Sequence, residues 1–244
     1  MKSFWGLIPR NLIKNKKRNA FIAIGIILSM CLIISLSIML DAFKKSSYES
    51  AIDVAGGAYD IWVSSTSADN VNLFKKDPIF TKISICENLG LYQVPDSNYT
   101  LEINGYDKNI PDFINMKLQQ GRYPENDNEI AVQDWILDKL PQKYKIGDKV
   151  NLTSTLYYKN SKGNREELKI ENHLKLVGIY KSTNIDGGNN KATAYVTKKY
   201  VESQIPSLLI KYGGYFMVNP KHSIEESFEA LASKLSSIEC LGFT

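Results

Sequence analysis

Residues 20–40 read AFIAIGIILSMCLIISLSIML, 21 positions without a charged side chain. At about 1.5 Å per residue a helix of that length is roughly 31 Å long, which matches a hydrocarbon core of about 30 Å. Seven Ile, four Leu and one Phe lie in it. Each favours insertion near the bilayer centre by about 0.3–0.6 kcal/mol, against modest penalties from Gly25, Ser29, Ser35 and Ser37. A core helix of a soluble domain rarely runs this far without a polar face. The stretch is read as a membrane span, and the rest of the chain is read from it.

The flanks give the orientation. Lys2, Arg10, Lys14, Lys16, Lys17 and Arg18 precede the span with no acidic residue among them, while Asp41, Lys44 and Lys45 follow it. The excess of basic residues on the first side places the N-terminus in the cytoplasm and everything after Leu40 outside. A cleaved signal peptide is the rival reading. Its apolar run is usually 7–15 residues and ends in an A-x-A-like site, whereas this exit reads SIMLDAF. Split at the membrane, the charge changes meaning. The first 40 residues hold six basic and no acidic side chains, and the remaining 204 hold 24 basic and 26 acidic ones. The exterior part therefore offers no basic surface for nucleic acid. Its length is enough for one domain of ordinary size or two small lobes.

Before the span, Phe4, Ile8 and Leu12 recur at four-residue spacing beside Trp5, which predicts a cytoplasmic interfacial segment over 1–19 despite Pro9. Within the span, Gly25 and Ser29 form a small-xxx-small pair, the spacing at which membrane helices approach closely. After it, residues 41–57 continue as a helical stalk stopped at Gly56-Gly57. Residues 58–244 alternate short strands and helices. Strands are expected at 59–63, in 79–94, at 100–106, from 129, at 192–196 and at 215–218, with a hairpin of 151–159 and 168–180. Helices are expected near 69–76, 110–118, 133–140 and 198–204, and from Ser223, where Glu226 completes a capping box. The fold class is α+β: one N-terminal transmembrane helix, then a mixed α/β extracytoplasmic domain.

Chemistry is sparse. His173 and His222 have no ligand-spaced partner, and no nucleophile elbow, paired zinc histidines or phosphate loop occurs. The glycine pairs at 56, 187 and 213 read as turns. No catalytic, cofactor or metal site is expected, and the acidic pairs Glu166-Glu167 and Glu225-Glu226 read as solvated faces. Cys31 lies in the span. A bridge between Cys86 and Cys240 stays open, with free buried thiols as the alternative.

The order of parts resembles the N-terminal portion of an ABC transporter permease of the FtsX-like family with a MacB-like periplasmic core domain. Four stretches carry the resemblance: NLIKNKKRNAFIAIGIILS (11–29), INGYD (103–107), LQQGRYPENDNEIAV (118–132), and IGDKV (146–150) followed by LVGIY (176–180). Gly105, Gly121, Arg122, Pro124, Glu129, Gly147, Asp148 and Gly178 are its motif positions, expected to be structural. The resemblance implies a cytoplasmic ABC ATPase subunit and a second permease chain as partners, within the lipid bilayer of the cell membrane. Family members continue into three further spans, so the chain is expected to be a fragment or a truncated product. The other reading is a single-span sensor or ligand-binding ectodomain that works without an ATPase.

Overall fold

The apolar stretch lies inside one uninterrupted helix, α1, Lys16–Ala55, in the computed structural model of the chain. The structure describes residues 15–160, 162–181, 190–234 and 240–243; residues 1–14 of the interfacial segment expected over 1–19, and the glycine pair at 187, lie outside them. By its internal contacts the chain divides into two units, Met1–Ser50 and Ala51–Thr244.

In the first unit every residue from Phe21 to Ser50 is exposed, and none of the most apolar window is covered by protein. Twelve bare Ile, Leu and Phe side chains would forfeit about 1.5–3 kcal/mol each in water. That total exceeds the roughly 5–15 kcal/mol of net stability a domain commands, so lipid is the medium that fits. Ser29 and Ser37 donate their hydroxyls back to Gly25 O at 2.8 Å and Ile33 O at 3.0 Å, which satisfies them inside an apolar medium.

The second unit begins with the last turn of α1. It continues through β1 (Ile61–Thr66), α2 (Ala68–Lys76), β2 (Phe80–Gln93), β3 (Thr100–Tyr106), α3 (Ile110–Phe113), β4 (Lys117–Gly121), β5 (Glu129–Gln133) and α4 (Asp134–Leu137). Then follow β6 (Lys149–Lys159), β7 (Arg165–Lys181), β8 (Lys191–Thr197), α5 (Lys198–Gln204), β9 (Lys211–Val218), α6 (Ile224–Lys234) and β10 (Cys240–Phe243).

Six of the strands close a ring. β2 pairs with β3, β3 with β8, β8 with β5, β5 with β7, β7 with β6, and β6 returns to β2 through Leu91 and Thr155. Period-2 patterning explains why: Leu101 and Ile103, Ala192, Ala194 and Val196, and Val150 and Leu152 each point one face inward. Together with Leu89, Ile130, Val132, Leu174 and Leu176 they fill the ring as its core, capped by Val201 of α5. Small alanines on β8 leave room for the larger side chains opposite. Asn172 sits inside this core with its amide satisfied, donating to Ser154 Oγ at 3.0 Å and to Ile170 O at 3.0 Å.

The other strands extend the sheet past β2 in the order β9, β1, β10. α2 and α6 cover a second core there of Ile61, Val63, Val71, Phe74, Ile85, Phe216 and Val218. Phe74 and Phe80 both lie 4.9 Å from Phe216 in tilted ring contacts. A third cluster, Cys86, Ile110, Met116, Ala131, Tyr180 and Tyr195, packs on the outside of the ring.

Several sequence expectations shift. The helix foreseen over 110–118 stops at Phe113, because Ile114 turns extended to pair with Gly57 and Lys117–Gly121 pairs with β7. Gly213 and Gly214 are not a turn. They lie within β9 between Val63 of β1 and Ile85–Cys86 of β2, and a Cβ on Gly214 would stand 2.8 Å from Ser84 O. The Cys86–Cys240 bridge is absent: Cys86 is a free buried thiol. Cys240 lies on β10, three strand spacings from β2, or about 14 Å against the roughly 7 Å limit for a disulfide. At α6, Ser223 Oγ accepts from Glu226 N–H at 3.4 Å as foreseen, and its own hydroxyl donates to Glu225 Oε2 at 2.7 Å.

Candidate functional site

α1 ends in a seat built by two glycines. Gly56 takes a φ of 77°, and Gly57 N–H donates back to Ile52 O at 2.9 Å, closing the helix with a Schellman turn. Gly57 then makes an antiparallel bridge to Ile114, and Asn115 N–H donates to Gly56 O at 3.2 Å. A Cβ on Gly57 would fall 1.9 Å from Phe113 O and 2.6 Å from Ile114 Cα, both backbone atoms that cannot step aside. Only glycine allows the two backbones to meet here. Beneath the seat lie fully buried Ile110 and Phe113 and the tyrosine-rich third cluster, where Ile114, Tyr106 and Tyr123 pack. Tyr106 and Tyr123 stack at 4.8 Å; burial, then Tyr123 and two nearby aspartates, pushes the Tyr106 hydroxyl up to about 12.

Five of the eight motif residues meet in one turn beside that cluster. Gly121, at φ 74°, is opposite Gly178 in the β4–β7 register. A Cβ on Gly121 would be 2.0 Å from Val177 O, and one on Gly178 would be 2.1 Å from Arg122 O. The close approach lets Arg122 N–H donate to Val177 O at 2.9 Å. The Arg122 guanidinium forks onto Glu129, with Nη1 at 2.8 Å from Oε2 and Nη2 on Oε1. Glu129 also accepts from the backbone N–H of Glu125 and of Asn126, each at 3.0 Å, and from Asn126 Nδ2 at 2.9 Å. The guanidinium, opposed by burial and joined by these amides, holds the Glu129 carboxyl well below the usual carboxylate range. Pro124 is buried within the same turn. Gly147 and Asp148 form a neighbouring turn on β7: Gly147 N–H donates to Leu176 O at 2.8 Å, and Asp148 Oδ2 accepts from Lys145 N–H at 2.8 Å.

The eighth motif residue, Gly105, stands elsewhere. It lies on β3 against Glu87 and Lys198, where its Cβ would be 2.5 Å from Glu87 Oε2. Lys198 Nζ is 2.9 Å from Asp107 Oδ2 and 3.5 Å from Glu87 Oε1. Sequence reading noticed the INGYD stretch but missed this cluster. A signal existed: Glu87 interrupts the apolar face of Ile83, Ile85 and Leu89 in a period-2 strand.

Burial and then Glu87 push the Cys86 thiol far up, which suppresses the thiolate. Among the described residues no three His, Cys, Asp or Glu side chains converge as a metal site. Gly25 and Ser29 stay on the exposed surface of α1, with open space where a Gly25 Cβ would stand. The seat and the turn hold backbone segments in fixed register.

No family model matches the sequence, and no curated protein matches it. Solved structures do resemble it. The extracellular domain of the noncanonic ABC-type transporter YknZ from Gram-positive bacteria aligns at 10% identity over 76% of this chain and 98% of its own, with a TM-score of 0.47. The periplasmic region of MacB from Actinobacillus actinomycetemcomitans aligns at 13% identity over 77% of this chain and 89% of its own, with a TM-score of 0.44. A domain of a putative permease protein from Porphyromonas gingivalis aligns at 10% identity over 75% of this chain and 83% of its own, with a TM-score of 0.41. Identities of 10–13% leave activity, substrate and partners to be argued from the chain itself.

Proposed function

We propose that this chain is the N-terminal portion of a membrane permease subunit in an ABC-type exporter or mechanotransmission complex. Its extracytoplasmic domain relays motion that a separate cytoplasmic ATPase subunit drives, and it performs no catalysis itself. The basic flank orients the N-terminus toward the cytoplasm. A second permease chain approaches at the Gly25 and Ser29 positions, where small residues let helices come close. The observation that carries the reading is the seat: a helix unbroken from the apolar stretch to Ala55 ends in backbone pairing between Gly57 and Ile114. A helix hydrogen-bonded along its length and joined by main-chain contacts transmits displacement without a reactive group.

The test uses the complete permease reconstituted in lipid nanodiscs with the ATP-binding subunit encoded beside it. Amide hydrogen exchange over residues 110–121 is expected to change between the nucleotide-free and ATP-bound states. Gly57→Val is expected to abolish that change while leaving ATP binding intact. An exchange pattern over 110–121 indifferent to nucleotide in the unaltered chain would overturn the relay. A change driven by a small exterior ligand without any ATPase would favour the single-span sensor instead.

A further inference from the structure

Glu87 occupies the point on β2 where the two cores of the domain meet. Ile83, Ile85, Glu87 and Leu89 share one strand face; Ile85 belongs to the second core and Leu89 to the ring core. The Glu87 side chain is only 7% exposed, and among the described residues its Oε2 has no hydrogen-bond partner. Among the described residues one ammonium, from Lys198 at the start of α5, pairs with it. Lys198 gives its short hydrogen bonds elsewhere, to Ile85 O at 2.8 Å and to Asp107 Oδ2 at 2.9 Å, and stands 3.5 Å from Glu87. Two carboxylates therefore share one cation in a place with little water, and the pocket carries a surplus negative charge.

The other charged and titratable groups around it do not remove that surplus. Glu202 on α5 adds repulsion, and Tyr212 on β9 and Cys86 on β2 hold protons that burial keeps in place. Glu102 on β3 acts on the neighbouring Cys86 with the same sign. Burial raises the Glu87 carboxyl above its ordinary value, against the pull of Lys198. For Lys198, burial works against the charged form, but Glu87 and Asp107 outweigh it and hold the ammonium.

We infer that Glu87, Asp107 and Lys198 form a proton-operated joint between the two cores of the exterior domain. One proton taken from solvent onto Glu87 Oε2 cancels the surplus charge and tightens β2 against α5; its release loosens them. The folded state binds this proton more strongly than the unfolded chain. The stabilisation is thus full below the unfolded carboxyl value of 4.5 and is lost as pH rises through the folded value. An acidic exterior locks the domain.

The experiment follows amide hydrogen exchange of residues 84–88 and 198–204 in the full chain in lipid nanodiscs, between pH 5 and 8, corrected for intrinsic rates. The ratio of opening constants, unaltered chain over Glu87→Gln, is expected to rise with pH by up to about tenfold per unit between 4.5 and the folded value and to level off above it. Parallel profiles for the two chains would overturn the joint. Asp107→Asn frees Lys198 to neutralise Glu87 alone and is expected to shrink the pH dependence. Should Glu87→Gln fail to fold, an Asp107→Asn chain with undiminished pH dependence would overturn the joint on its own.

Discussion

Gly121 and Gly147 both take positive φ values, 74° and 100°, yet their surroundings differ completely. At Gly147 nothing lies within 4 Å of an added Cβ, whereas at Gly121 the Cβ would meet Val177 O at 2.0 Å. Gly147→Ala should therefore cost only the left-handed backbone preference, about 1–2 kcal/mol. Gly121→Ala carries the same cost plus about 1–3 kcal/mol for forcing β4 away from β7. It also endangers the 2.9 Å bond from Arg122 N–H to Val177 O, worth about 0.5–1.5 kcal/mol. The expected losses are about 1–2 kcal/mol for Gly147→Ala and roughly 2.5–6.5 kcal/mol for Gly121→Ala, out of a net stability of about 5–15. Urea unfolding of the detergent-solubilised chain, followed by tryptophan fluorescence, measures both. Trp135 reports directly, because it packs against the ring core. Losses that agree within about 0.5 kcal/mol would refute the claim that close approach, and not backbone conformation alone, requires Gly121.

Two further outcomes follow from the same geometry. The Glu129 carboxyl is depressed by Arg122 and its amide donors, so its contribution to stability is present above 4.5 and lost as pH falls through the lower folded value. Acid titration of unfolding should show that limb in the unaltered chain and a flatter one in Glu129→Gln; equal slopes would contradict the assigned pairing. Cys86 should resist maleimide in the native domain and react on unfolding, with no mobility difference between reduced and non-reduced chain. Rapid native labelling at Cys86 would contradict its burial.

The helix, the hairpin and most strands were legible because their signals are local. An unbroken apolar run, period-2 alternation and Gly56-Gly57 each act within a few residues. The errors arose where distant pairing overrode local preference. Ile114 leaves a helical context to meet Gly57, and Lys117–Gly121 becomes a strand only because β7 offers its edge. Gly213-Gly214 looks like a turn in sequence but serves as the thin part of a strand between two neighbours. Ring closure through Leu91 and Thr155 rests on one pairing between residues 64 positions apart, which no local pattern announces. The motif residues divided likewise. Gly121, Arg122, Pro124 and Glu129 converge as near neighbours in one stretch, and Gly178 joins them from β7 through the strand register. Gly105 instead serves the Glu87–Lys198 cluster, whose members come from β2, β3 and α5.

The orientation of the span can be measured directly by labelling with a membrane-impermeant maleimide in intact cells. Starting from a chain with Cys31, Cys86 and Cys240 replaced by alanine, single cysteines are placed at exposed Lys17 and exposed Lys162. A cytoplasmic N-terminus and an exterior domain require Lys162→Cys to label in intact cells and Lys17→Cys only after lysis. Labelling of Lys17→Cys in intact cells, with Lys162→Cys protected, would invert the topology and remove the basis of the permease reading.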